Sequence, residues 1–182
     1  MLVPAKTIKL KDDRDLILKS PTPDQAQMLL DHLTRVFKTN YRNFNRPADY
    51  WETLPVEKEE AILKDHAEAA NKFMLSAFYQ GKIVGNIGLF GFDFPFGKHS
   101  ARFGLGIENE FQNLGLGTAL LNYCIEEARK LNIHSLELAV RTFNNPAIAL
   151  YEKLGFRRVG EMKEIAFIDG KFYDEYIYQK IL

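Results

Sequence analysis

The sequence predicts an α+β fold, a mixed sheet covered by helices, on three observations. Two hairpin signals stand far apart in the 182 residues: Gln80-Gly81-Lys82 joins the β-prone runs Phe73 to Tyr79 and Ile83 to Phe90, and Asp169-Gly170 joins Phe156 to Phe167 and Phe172 to Ile181. Apolar stripes of helical period precede the first hairpin. Between the hairpins, strand and helix signals alternate, so helices lie between and beside strands.

From the start, Thr7 to Lys19 alternates like one or two strand pieces, broken by Asp12-Asp13-Arg14-Asp15, a charge run read as a solvated turn. Its aspartates lack the glycine and terminal glutamate of a calcium loop. Thr22-Pro23-Asp24-Gln25 is a capping box with proline at the first helical position, and Ala26, Leu29, Leu30, Leu33, Val36 and Phe37 mark the stripe of the first helix. Asn40 to Leu54 is an aromatic-rich connection leading to a charged helix from Pro55 to about Ala70. After the first hairpin, a loop at Asp93 to Lys98 leads into a strand that ends at Ile107. Phe90, Phe92, Phe94 and Phe96 alternate like a strand face and are expected to lie partly in the core, with a second role as an aromatic wall.

Composition narrows the function. The length suits a single domain over 1–182 with a sizeable core. Lys plus Arg and Asp plus Glu are both 24, so no global basic field attracts nucleic acid. No apolar run approaches the roughly 18 residues of a membrane span, and the N-terminus lacks a long apolar leader, so a cytoplasmic protein is expected. The one cysteine, Cys124, shares a helix face with Leu121, Ile125 and Ala128 and is read as a buried structural thiol.

The most informative stretch is Phe111-Gln112-Asn113-Leu114-Gly115-Leu116-Gly117-Thr118-Ala119-Leu120. The strand Arg102 to Ile107 leads in and an amphipathic helix from Thr118 to about Leu131 leads out, so unblocked first-turn amides form an anion cradle over Gly115 and Gly117. A P-loop is excluded, because Gly-x-x-x-x-Gly-Lys-Ser/Thr has no match. A dinucleotide fingerprint fits in part: Leu120 fills the third glycine position, while Glu137 stands at a distance suited to a ribose carboxylate. A glycine turn with no ligand is a further reading.

A second segment runs from Val140 through Asn144-Asn145-Pro146 and Tyr151 to Gly155-Phe156. It reads as the end of a strand (Ser135 to Val140), Asn145 as N-cap, Pro146 at the first helical position and Gly155 at C′. Leu150 and Leu154 share one face and Ala147 and Tyr151 another, which directs the tyrosine away from the sheet.

Gln112-x-x-Gly115-x-Gly117, followed about 30 residues later by Asn-x-x-Ala-x-x-Leu-Tyr-x-x-x-Gly-Phe, resembles the two cofactor motifs of the GNAT N-acetyltransferase superfamily. The likeness covers roughly Lys72 to Phe156 and the flanks in outline, and the general look of the chain is similar to the branch with ribosomal-protein N-terminal alanine acetyltransferases and also to polyamine and antibiotic acetyltransferases. It implies a mostly antiparallel sheet with helices on both faces, in which two parallel strands, here those ending at Ile107 and Val140, splay to admit acetyl-CoA as co-substrate. It further implies that the backbone of Leu105, Gly106 and Ile107 pairs with pantetheine, and that Gln112, Asn113, Leu114, Gly115, Leu116, Gly117 and Thr118 form the pyrophosphate loop. Asn144 is then a hydrogen-bonding side chain for the cofactor, Tyr151 the general acid, and the N–H near Ile107 an oxyanion donor. Where many members carry arginine at the start of the loop, this chain has Gln112.

The implied reaction moves an acetyl group to a primary amine, a small molecule or a protein N-terminus, by direct attack in a ternary complex. Glu108 is the candidate base, with a surface role as its alternative; the four histidines are read as structural or surface residues. A missing strong base would favour α-amines, whose pKa is about 7.7 to 8.0 against about 10.4 for lysine. Acceptor contacts are expected from Asn40 to Leu54, the Phe90 to Phe96 loop and the last hairpin, and no acidic cluster suits a polycation. The family often dimerises through the edge of that hairpin. Two other readings are a non-catalytic acyl-CoA sensor, marked by binding without turnover, and an interaction module.

Overall fold

Turn chemistry and strand-forming runs set out most of the sheet. The computed structural model describes residues 1–182. Its strands are β1 (Lys6–Lys9), β2 (Asp15–Lys19), β3 (Lys72–Tyr79), β4 (Lys82–Gly91), β5 (Ser100–Ile107), β6 (Ser135–Arg141), β7 (Arg157–Ile168) and β8 (Lys171–Ile181). The helices are α1 (Ala26–Asn40), α2 (Val56–Glu68), α3 (Leu116–Lys130) and α4 (Asn145–Lys153). The strands form one sheet in the order β1-β2-β3-β4-β5-β6-β8-β7, antiparallel throughout except for the pair β5–β6. Gly81 and Gly170 both take positive φ at the two hairpin turns.

Alternation along β3 sends successive side chains to opposite layers. Phe73, Leu75 and Ala77 pack under α3 with Leu116, Leu120, Leu121, Cys124 and Ala128, while Met74 joins Leu29 of α1 and Leu63 of α2 on the other face. Full burial of each such leucine contributes about 1.5–3 kcal/mol, so both layers are held by the hydrophobic effect. Cys124 is fully buried there, and burial pushes its thiol pKa up, away from nucleophilic use. No helix is long and apolar enough to cross a membrane.

Three sequence expectations need correction. Gln25 does return a hydrogen bond to the Thr22 N–H at 3.1 Å, yet Pro23–Gln25 is a 3-10 turn, and the α-helix begins only at Ala26. The aromatic run leaves the sheet: β4 ends at Gly91, and Phe94 and Phe96 stand 57% and 92% exposed in the following loop. That loop joins the start of β5, the end remote from Ile107, so it is neither core nor a wall near the glycine loop. Glu137 is ion-paired with Arg102 across β5 and β6, which takes it away from a ribose and removes the dinucleotide reading.

The parallel pair positions the site. β5 and β6 are in register only from Ser100–Arg102 against Ser135–Glu137, and beyond those residues the strands part.

Candidate active site

Strand parity identifies which backbone groups face the gap. The N–H of Glu108 donates to Val84 O at 3.1 Å and that of Phe92 to Ser100 O at 3.1 Å, so even-numbered residues of β5 address β4. Leu105 and Ile107 therefore present their N–H and C=O groups to the gap. On β6 the N–H of Ser135 points toward β5, to His99 O at 3.1 Å, and that of Thr142 toward β8, to Asp174 O at 3.1 Å. Ala139 and Arg141 accordingly face the gap from the other side. The two lips form an unfilled ladder, suited to an extended ligand bearing amides.

At the mouth of the gap the chain turns into α3. Asn113 and Gly115 take φ of 60° and 94°, folding successive N–H groups inward. Gly115 is the N-cap and supplies no side-chain acceptor. The first helical hydrogen bond is from Ala119 N–H to Gly115 O at 3.0 Å, leaving the N–H groups of Leu116, Gly117 and Thr118 without partners inside the protein. A Cβ at Gly117 would lie 3.0 Å from Leu150 Cδ2 and 3.3 Å from Ile107 Cδ1, so the loop is closed down between β5 and α4. Gln112 has a different use from the one its place in the loop suggests: its Nε2 donates to Ile107 O at 3.0 Å and to Asn109 Oδ1 at 3.1 Å. It braces the strand-to-helix turn and occupies one carbonyl of the ladder.

The cap of α4 sits one residue earlier than expected, at Asn144, whose Oδ1 accepts from Ala147 N–H at 3.4 Å. Asn144 also lines the cleft. The helix ends in a Schellman pattern, Phe156 N–H to Tyr151 O at 3.0 Å and Gly155 N–H to Glu152 O at 2.9 Å. This fixes the turn that carries Tyr151. The tyrosine does not point away from the sheet. It is only 8% exposed, edge-on to Phe103 at 5.9 Å and Phe156 at 6.0 Å, yet it lines the cleft. Its hydroxyl has no hydrogen-bond partner in the protein and is not sealed from solvent. Burial pushes its pKa up to about 12, so the phenol keeps its proton at neutral pH.

Glu108 is elsewhere. Its carboxylate accepts from His32 Nδ1 and Arg35 Nε, each at 2.9 Å, and it does not line the cleft. Burial alone would raise its pKa, but the hydrogen bonds from His32 and Arg35 and the charge of Arg35 outweigh that and hold it low. His32, fully buried and kept neutral chiefly by burial, is the inner half of this clasp. Glu108 thus fastens α1 to the end of β5.

The Asn40 to Leu54 connection meets the cleft through Asn40, Asn43 and Phe44. Arg141 holds it there: Nε donates to Arg42 O at 3.2 Å, Nη2 to Phe44 O at 3.2 Å and to Asn45 Oδ1 at 2.7 Å, while Nη1 is ion-paired with Glu175. Arg42 and Tyr41 also reach Asp169 at the tip of the last hairpin, at 2.7 Å and 2.6 Å. Arg141 was not singled out from the sequence, because nothing local marks a strand-end arginine as buried.

Together these elements enclose a cleft of about 630 Å³, within the usual range for small-molecule sites. Orphaned amides at its mouth suit a phosphate, the unfilled ladder suits an amide chain, and Tyr151 stands at its inner wall, so the residues fit coenzyme A. Residues 29–156 match the model of the acetyltransferase (GNAT) family. The L-amino acid N-acetyltransferase AaaT of Escherichia coli K12 is 32% identical over 160 residues, 86% of this chain and 99% of its own. The spermidine N(1)-acetyltransferase of Vibrio cholerae is 30% identical over 144 residues, 76% of this chain and 82% of its own. A GNAT acetyltransferase structure from Streptococcus pneumoniae superposes with a TM-score of 0.86 at 31% identity, covering 92% of this chain and 99% of that one.

Proposed function

The chain belongs to the acetyltransferase (GNAT) family, and from that premise we propose that it acetylates the α-amine of an amino acid or peptide N-terminus by direct attack in a ternary complex. The family uses acetyl-CoA as co-substrate, which supplies the acetyl group as an activated thioester. The observation that carries the acceptor class is the make-up of the cleft wall: it contains no Asp, Glu or His. In this reading the amine arrives neutral. At pH 7 the α-amine of a peptide is about a tenth neutral and a lysine ε-amine less than about a thousandth, so the wall favours a peptide N-terminus by more than a hundredfold before any contact is made. Of the two relatives, the one named for spermidine, an alkylamine, is the contrast against which this reading is tested.

The remaining roles fall to this chain's own groups. The unfilled ladder and the α3 amides orient the long co-substrate, which converts a bimolecular reaction into a local one. The free N–H of Ile107 donates a hydrogen bond to the negative charge that develops on the carbonyl oxygen. Tyr151 holds the proton that the leaving thiolate requires. The burial that raises the phenol's pKa also opposes a thiolate beside it, so the transfer is better matched than solution values suggest.

Two outcomes are expected. The kcat/KM for an alanyl peptide rises with pH and levels near the peptide's own amine pKa, whereas for an Nα-blocked lysine it continues to rise toward about 10. An identical break for both acceptors would restore an enzyme base and overturn the base-free reading. Tyr151→Phe, which keeps the ring against Phe103 and Phe156, lowers kcat by about a hundredfold or more while acetyl-CoA affinity measured by calorimetry stays unchanged. Unaltered turnover in that variant removes Tyr151 as the acid.

A further inference from the structure

The loop that meets the phosphates carries no cation, and Gln112 at its start is occupied by Ile107 and Asn109. Two charged side chains do line the cleft, Lys11 and Lys153, and they come from outside the loop. Their neighbours are committed: Lys9 pairs with Asp15 at 3.1 Å and Arg14 with Asp12 at 2.7 Å, whereas neither Lys11 nor Lys153 has an ion-pair partner. Two unpaired ammonium groups bordering one cleft repel each other and gain most from an anion between them.

The backbone supports both positions. The β1–β2 turn is pinned to the loop, with Lys11 N–H donating to Leu114 O at 3.1 Å and Arg14 Nη2 to Glu110 O at 3.1 Å; the Arg14 guanidinium also lies 4.2 Å over the Phe111 ring. The charged turn Asp12 to Asp15 is solvated as its sequence suggests, while Lys11, the residue before it, lines the cleft. Lys153 stands one helical turn after Ala149 and Leu150 on α4, and Leu150 is the side chain that crowds Gly117. The backbone of Lys11 is thus tied to the Leu114 side of the α3 N-terminus, and Lys153 follows one turn after Leu150, which borders Gly117.

We propose that Lys11 and Lys153 are the counter-charges for the phosphates of the acetyl donor, supplying from the β1–β2 turn and α4 the positive charge that the loop lacks. The assignment rests on the acetyl-CoA reading above. It also locates the positive field of a chain with zero net charge at the mouth of its cleft.

The test is calorimetric titration of acetyl-CoA and of 3′-dephospho-CoA into wild type, Lys11→Ala, Lys153→Ala, their arginine counterparts, and Lys9→Ala as a control in the same turn. Each alanine variant is expected to weaken acetyl-CoA by roughly tenfold, with a shallower salt dependence, and each arginine to restore it. Lys9→Ala binds as wild type. A loss that disappears with 3′-dephospho-CoA assigns that lysine to the ribose phosphate; a loss that persists assigns it to the diphosphate. An alanine variant within twofold of wild type removes that lysine from the site. Wild-type binding with both variants unaltered overturns the assignment alone, whereas no binding by wild type overturns the acetyl-CoA reading and the assignment with it.

Discussion

Gly117→Asp is expected to weaken acetyl-CoA binding by roughly 100-fold or more, about 2.7 kcal/mol. Two effects add. The new Cβ enters a space where Leu150 Cδ2 is 3.0 Å away and Ile107 Cδ1 3.3 Å away, so one or both must move into the cleft. The carboxylate then stands among the free amides of Leu116, Gly117 and Thr118, where it takes up their hydrogen bonds and repels a diphosphate. Gly117→Ala separates the two: its methyl displaces only the flexible ends of side chains, so a smaller loss of a few-fold is expected. Calorimetry reads the affinity, and a thermal melt checks that the variant is folded. Folded Gly117→Asp that binds as wild type would place the phosphates elsewhere.

Arg141→Leu is expected to lower stability by about 3–5 kcal/mol, because it leaves the Glu175 carboxylate buried without its partner. For a chain of this size that corresponds to a Tm roughly 10 °C lower. Replacing both partners, with Arg141→Leu and Glu175→Met, removes the orphaned charge and should recover most of the loss. The double variant still lacks the hydrogen bonds to Arg42, Phe44 and Asn45, so its KM for the amine remains raised while acetyl-CoA affinity is kept. A double variant as unstable as the single one would show that packing of the arginine stem, and not the buried charge, sets the cost.

The sequence carried the parts of this molecule whose signals are local. Hairpin turns, the glycine loop and the proline and glycine that bound α4 are each decided within a few residues, and the structure has them in place. What escaped depends on partners far along the chain. Tyr151 was assigned outward from i, i+4 spacing, but Phe103 and Phe156 close over its ring from β5 and from the turn after α4. Glu108 met His32 and Arg35, more than seventy positions earlier, and so became a clasp. Phe94 and Phe96 alternate as a strand would, yet β4 had already ended. Lys11 stands just before a solvated charge run, and only the hydrogen bond of its N–H to Leu114 brings it to the site.

The narrow seam between β5 and β6 has a mechanical meaning. Three residue pairs, Ser100–Arg102 on Ser135–Glu137, are all that joins the five-stranded slab β1–β5 to the three-stranded slab β6–β8 within the sheet. A load across the sheet is borne there, by the crossover helix α3, and by the clasps that tie the α1–α2 connection to Arg141 and Asp169. The weakest line of the scaffold and the line along which it grips a ligand are the same, so an occupied cleft is also a mended sheet.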